Sequence, residues 1–332
     1  MSVSGFDGLV QGLHQLDNFC IAAHENPDPD SLGSMVALYL GLISLGKKAM
    51  MVCGDPIPYD FPWAALAAVQ APTEVGPCQN MVVLDCHPNR TGTAKPLVEQ
   101  AQTVFNIDHH VGNRGETTYH YIDTAEPATA SMVHRVLRQL DVTITKPMAD
   151  ALYAGIVGDT GGFRYGNTTS SVLALGAELV ALGAEPDTTS RLIFETKSWG
   201  FMSLLGRTLE TMERSADGAV VWMTVDHDAF KESDVDPQEG DQFIQYSRMV
   251  SGVKVAILFR ETSPGTIRLG FRSHSLDVGS LARTLGGGGH RLASGAKVEG
   301  TMDQWVPRVV AAAQALVDSE GGHGIGRNHE CH

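Results

Sequence analysis

The feature that most constrains this chain is a set of four brief apolar runs separated by helical patterns, three of them ending in acidic or imidazole side chains. The runs are FCIAAH (19–24), AMMVC (49–53), MVVLDC (81–86) and TVFNI (103–107). Short segments rich in Val, Ile, Phe and Met predict strands buried on both faces, as in a parallel sheet. Helices are expected over 33–46, 128–140 and 147–158, the last opened by Pro147 at a favoured first position. This alternation predicts an α/β fold, a parallel-sheet domain with helices on both faces. Ligands of such sheets gather beyond the carboxyl ends of the strands.

A length of 332 residues suits two domains. The expected division is a first domain over 1–186, a helical linker over 187–215, a smaller α/β domain over 216–320 and a flexible tail over 321–332. In the second domain, 218–225, 253–261 and 266–273 read as strands, and 277–286 and 305–319 as helices, with Asp277 as an N-cap. The tail carries His323, His329, Cys331 and His332.

The formal charge of -14 excludes a protein that coats long duplex nucleic acid, because such binding depends on Lys and Arg patches that release counterions. A short substrate held at one local site is compatible with it. No apolar run approaches the roughly 20 residues of a membrane span. The N-terminus lacks a basic segment followed by an apolar core, so no export signal is expected. The five cysteines, Cys20, Cys53, Cys78, Cys86 and Cys331, are odd in number and without CxxC spacing. Reduced thiols and a cytoplasmic location are the expectation.

The informative residues are the Asp and His side chains at element ends. His24 closes the first run, with Asp28 and Asp30 following in HENPDPDSLGS; Asp85 closes VVLDC. Asp108, His109 and His110 close FNIDHH, and Asp159 follows an apolar helix in GIVGDTGGF. Parallel strands would bring the first three groups to one sheet edge. Carboxylates collected there would repel one another and lose hydration unless cations joined them. Two divalent ions answer that problem, with a carboxylate such as Asp85 bridging them. Mixed Asp oxygen and His nitrogen donors suit manganese, with magnesium, cobalt or iron as substitutes.

The segments HENPDPDSLGS, VVLDC, NIDHH and GIVGDTGGFRY, in that order, resemble the four motifs of the DHH phosphoesterase superfamily. GFRS (270–273) and GGGGHRLASGA (286–296) resemble the strand and glycine-rich loop of its DHH-associated C-terminal domain. Within the superfamily the layout is most similar to the NrnA-type enzymes, which degrade nanoRNA and dephosphorylate 3′-phosphoadenosine 5′-phosphate. The resemblance implies His24, Asp28 and Asp85 on one ion, and Asp30, Asp85, His109 and Asp159 on the other. It also implies that His110 meets the scissile phosphate while Asp108 orients the neighbouring imidazoles. His87 and Arg90 read as loop residues near the site.

On the substrate side, Gly287, Gly288 and Gly289 permit close backbone approach and an anion-binding concavity. His290 adds a donor, Ser273 joins them, and Arg272 can clamp phosphate bidentately. Arg164 lies five residues past Asp159, within reach of a phosphate from the metal side, and Thr168 and Thr169 suit the cap of the next helix. The expected activity is metal-dependent hydrolysis of short RNA or DNA oligonucleotides or 3′,5′-bisphosphate nucleotides, with one domain holding the metals and the other the far end of the substrate. Alternatives are a pyrophosphatase or exopolyphosphatase, a linear-dinucleotide phosphodiesterase and a non-catalytic nucleotide sensor. A homodimer is the base-rate expectation for assembly.

Overall fold

The structure is a computed structural model that describes residues 3–321; the His-rich end of the tail lies outside them. Two units divide at Thr196 and Lys197. Unit 1 runs β1 (Val3–Ser4), α1 (Phe6–Gln15), β2 (Phe19–Ala22), α2 (Pro29–Ser44), β3 (Ala49–Val52), β4 (Val69–Gln70), β5 (Asn80–Leu84), α3 (Lys95–Gln100), β6 (Thr103–Asp108), β7 (Tyr119–Ile122), α4 (Thr129–Gln139), α5 (Lys146–Asp159), α6 (Ser170–Ala181) and α7 (Pro186–Ser190). The four expected strands are all present. β1, β4 and β7 were not foreseen, because two to four residues are too few to carry a pattern.

Every pairing in the seven-stranded sheet is parallel, in the order β1-β7-β6-β5-β2-β3-β4. The chain fills one side of β2 with β3 and β4 and the other with β5, β6 and β7, so the order reverses between β2 and β5. In open parallel sheets that reversal leaves a crevice at the carboxyl ends of the flanking strands.

The larger core lies on one face, where Ile21, Val82, Leu84, Phe105 and Ile107 meet Leu32, Met35, Val36, Val133, Leu152 and Ile156 of α2, α4 and α5. The opposite face is thinly covered. Cys20, Val52, Met81 and Val83 pack there against Leu97 and Val98 of α3. α2 and α5 approach very closely. A Cβ at Gly33 would collide with the Ala151 carbonyl, and one at Gly155 would lie 2.7 Å from Asp30 Oδ1. α2 starts four residues before its expected position, because Asp28 caps it through Ser31 N and Pro29 fits the first turn.

The reduced-thiol expectation fails for one pair: Cys20 of β2 and Cys78, just before β5, form a disulfide with Cα atoms 5.9 Å apart. The pairing of β2 with β5 brings Cys20 near Cys78, which precedes the first paired residue Asn80, something cysteine spacing does not reveal. Cys53 and Cys86 are free.

Unit 2 comprises α8 (Trp199–Glu210), β8 (Glu213–Arg214), β9 (Val220–Val225), α9 (His227–Ser233), α10 (Ile244–Arg248), β10 (Val255–Ser263), β11 (Thr266–Arg272), α11 (Val278–Thr284), β12 (Gly288–Gly289), β13 (Ala293–Glu299) and α12 (Met302–Gly321). Its six-stranded mixed sheet has the order β12-β13-β11-β10-β9-β8. One face packs Val255, Ile257, Phe259, Leu269 and Phe271 against α11 and α12. The other packs Met223, Val225, Ala256 and Leu258 against α8, α9 and α10. Among the described residues no helix is long and apolar enough to cross a membrane.

Candidate metal centre

His24 follows β2, Asp85 follows β5, and Asp108 ends β6 with His109 and His110 just beyond it, three strands that are adjacent at the reversal. Asp28 and Asp30 come from the start of α2 and Asp159 from the end of α5. Seven residues converge in overlapping groups: His24, Asp28 and Asp85; Asp30, His109 and Asp159; and Asp85 again with His109 and His110. Asp85 belongs to two of them. It is buried and held at φ 62, a left-handed conformation that Asp tolerates better than most residues and that recurs at functional sites.

The imidazoles are oriented by backbone carbonyls. His24 Nδ1 lies 2.7 Å from the Glu25 carbonyl oxygen, and His109 Nδ1 lies 3.2 Å from that of Glu126. A carbonyl only accepts, so each Nδ1 carries the proton and each neutral ring presents a lone pair at Nε2. His24 Nε2 stands 3.5 Å from both Asp28 Oδ1 and Asp85 Oδ2. His109 Nε2 is buried without a hydrogen bond, 3.1 Å from Asp159 Oδ2, 3.5 Å from Asp85 Oδ1 and 4.0 Å from Asp30 Oδ2.

Lone pairs facing carboxylate oxygens repel unless something positive lies between them. Protons are one answer. Burial works against charging His24, but Asp28 and Asp85 outweigh it and lift its pKa to about 11. His109 rises to about 10 because Asp159, Asp30 and Asp85 overcome the same burial. Burial, reinforced by Asp85 and Asp28, pushes Asp159 to about 6 against the pull of His109, and burial with Asp85 and Asp159 raises Asp30 well above the carboxylate range. Two imidazolium charges cannot balance four carboxylates. Divalent cations can, and the hard oxygen and imidazole donors suit them. The residues present fit such a centre.

Several supporting groups carry no sequence signal. The α4 N-terminus holds Asp30, with Thr129 N donating to Oδ2 at 2.6 Å and Ala130 N to Oδ1 at 2.8 Å. Thr129 Oγ1 donates to Asp85 Oδ1 at 2.8 Å. Asp108 orients His110 alone, through Nδ1 at 2.8 Å; His109, expected to share that support, takes it from Glu126 instead. Asn113 donates to Asp108 Oδ2 at 2.6 Å. Burial opposes ionisation of Asp108, but His110 and Asn113 hold its pKa below the usual range. His87 caps the short turn over 88–90, and the Arg90 carbonyl accepts from Glu25 N, as expected of loop residues beside the site.

The substrate-side residues fare unevenly. Arg164 stacks on the Phe194 ring at 5.4 Å and donates to the Gly161 carbonyl; no hydrogen bond or ion pair among the described residues joins it to the cluster. Thr169 caps α6 as expected. Arg272 is part-exposed, with NH2 3.5 Å from Asp241 Oδ2. Ser273 has a local structural use. It is only 2% exposed, donates to the Lys254 carbonyl at 2.6 Å and accepts from the Ser275 and Leu276 amides, so its hydroxyl shapes the turn after β11. The glycine run is partly ordered by strand pairing. Gly288 and Gly289 form the edge strand β12, and Gly287 packs so closely on the Gly295 carbonyl that no Cβ fits. His290 is exposed at the turn into β13.

A parallel sheet with acidic and imidazole groups at its reversal, followed by a mixed-sheet unit, defines a two-domain protein of the phosphoesterase class. The DHH family N-terminal domain matches residues 18–156 and the DHHA1 domain residues 217–319, and the chain belongs to the DHH family. It is 34% identical over 305 residues to the bifunctional oligoribonuclease and PAP phosphatase NrnA of Thermus thermophilus, covering 91% of this chain and 90% of that protein. The Bacillus subtilis protein of the same name is 26% identical over 294 residues, covering 87% and 92%. The fold matches that of an exopolyphosphatase-related protein from Bacteroides fragilis, with a TM-score of 0.83 at 21% identity over 94% and 95% of the two chains.

Proposed function

We propose that this chain hydrolyses phosphate esters in short oligoribonucleotides and in 3′,5′-bisphosphate nucleotides, using two divalent cations, with manganese preferred. The observation that carries this reading is the set of imidazole nitrogens aimed, without a hydrogen-bond partner at His109, into four carboxylates. In this reading His24, Asp28 and Asp85 hold one ion, and Asp30, Asp85, His109 and Asp159 hold the other. Bound there, the ions would supply Lewis acidity toward the phosphate and a nucleophile at neutral pH.

The chain's own residues do the rest. Asp108 keeps the His110 proton on Nδ1, so the outer nitrogen of His110 faces the reacting phosphate or its leaving oxygen. The α4 amides hold Asp30 in place before any ion arrives. Arg272 binds a substrate phosphate from unit 2. The relatives' names support short oligonucleotide and bisphosphate nucleotide substrates. The test is to follow phosphate or nucleotide release, with manganese, from short RNAs, 3′-phosphoadenosine 5′-phosphate and pyrophosphate. Turnover of the first two is expected, and turnover of pyrophosphate alone would reject the reading.

A further inference from the structure

Arg272 does not stand alone on its sheet. Strand register puts Arg260 opposite Arg268 and Arg272 opposite Ala256, so the three arginines share one face, with the Leu258↔Gly270 pair between Arg260 and Arg272. Arg260 is 6% exposed, unusual for a guanidinium unless it is paired. Its NH1 donates to the Pro237 carbonyl at 2.6 Å and its NH2 to Asp241 Oδ1 at 2.9 Å. The other Asp241 oxygen, Oδ2, faces Arg272 NH2 at 3.5 Å. Arg272 NH1 meanwhile donates to the Phe271 carbonyl at 3.0 Å.

The result is a graded relay from inside to outside. A buried arginine anchors a half-exposed aspartate, and the aspartate holds a part-exposed arginine by a longer, looser contact. Long arginine side chains lose rotamer freedom when they bind, and a fixed partner removes part of that cost in advance. The 3.5 Å contact is loose enough for a phosphate to take over without breaking a tight bond.

We infer that Asp241, anchored by Arg260, is the positioning residue that aims Arg272 at the substrate phosphate. The inference rests on the reading that Arg272 meets that phosphate. Asp241→Asn keeps the shape and an oxygen for Arg260 while removing the charge. It is expected to raise KM about three- to tenfold with kcat reduced less than about twofold. Arg272→Ala should raise KM more, about ten- to hundredfold. The double variant should be no worse than Arg272→Ala alone, since the aspartate acts through that arginine, and Asp241→Glu should recover part of the loss.

The possible failures separate cleanly. If Arg272→Ala leaves KM unchanged, the reading of Arg272 is wrong. If Arg272→Ala raises KM but Asp241→Asn leaves it alone, or the two losses simply add, Asp241 does not position Arg272. If Asp241→Asn lowers KM, the carboxylate competes with substrate, and the inference is overturned. Melting curves for each variant show whether a KM change merely follows misfolding.

Discussion

The two charged regions solve the same electrostatic problem in opposite ways. In unit 2 the charges are paired within the chain: Arg260, Asp241 and Arg272 alternate in sign, with one positive charge in excess. In unit 1 four carboxylates surround imidazoles whose free nitrogens bring no charge when neutral, and the chain alone leaves the group unfinished. A region of the first kind holds together as a structure and keeps one positive charge in hand for a substrate phosphate. The second kind gains stability only when something positive arrives, which is how a fold advertises a cation site.

The strongest way to break this contrast is Asp85→Asn. Hydrolysis should fall by at least about 10³-fold, because Asp85 belongs to both ion groups. Stability of the chelator-treated protein should hold or rise in the same variant, since one repelling charge has gone from a buried cluster. A lower melting temperature for the stripped variant than for the stripped parent would mean that the carboxylates are paired within the chain after all.

A gentler lesion tests orientation. Asn113→Ala removes the donor that steadies Asp108, and with it the direction of His110. The expected loss is about ten- to hundredfold in kcat, with the bound metal unchanged. Loss of metal with the activity would place Asn113 in the ion cage instead.

The smallest effect on turnover belongs to unit 2. Ser273→Ala should cost about 1–3 kcal/mol of stability, because two amides and a carbonyl lose their buried partner. KM should stay within about twofold. A large rise in KM without loss of stability would return Ser273 to the substrate contacts.

Much of this was legible in the sequence, for a definite reason. A parallel sheet sends the ends of separate strands to one edge, so hard ligands closing FCIAAH, VVLDC and FNIDHH announce a shared pocket before any coordinates exist. What escaped the sequence is of three kinds. Backbone groups carry no residue signature: the Thr129 and Ala130 amides that clamp Asp30, about a hundred residues away, could be any residue's. Contacts between distant segments, such as the Cys20–Cys78 disulfide, depend on which strands become neighbours. Local uses of a residue were also hidden, as with Ser273, whose hydroxyl bonds within its own turn, and the glycine run, part of which pairs as an edge strand. Asp241 left no mark at all, because an aspartate in a short helical turn is an ordinary surface residue until two arginines are found facing it.

The central claim is that the acidic and imidazole groups of unit 1 enclose a pair of cations, and metal counting tests it most directly. Elemental analysis of the protein loaded with manganese and freed of excess should give about two ions per chain, falling to one or fewer in Asp85→Asn. A parent protein that retains none, or a variant that still retains two, would contradict the account.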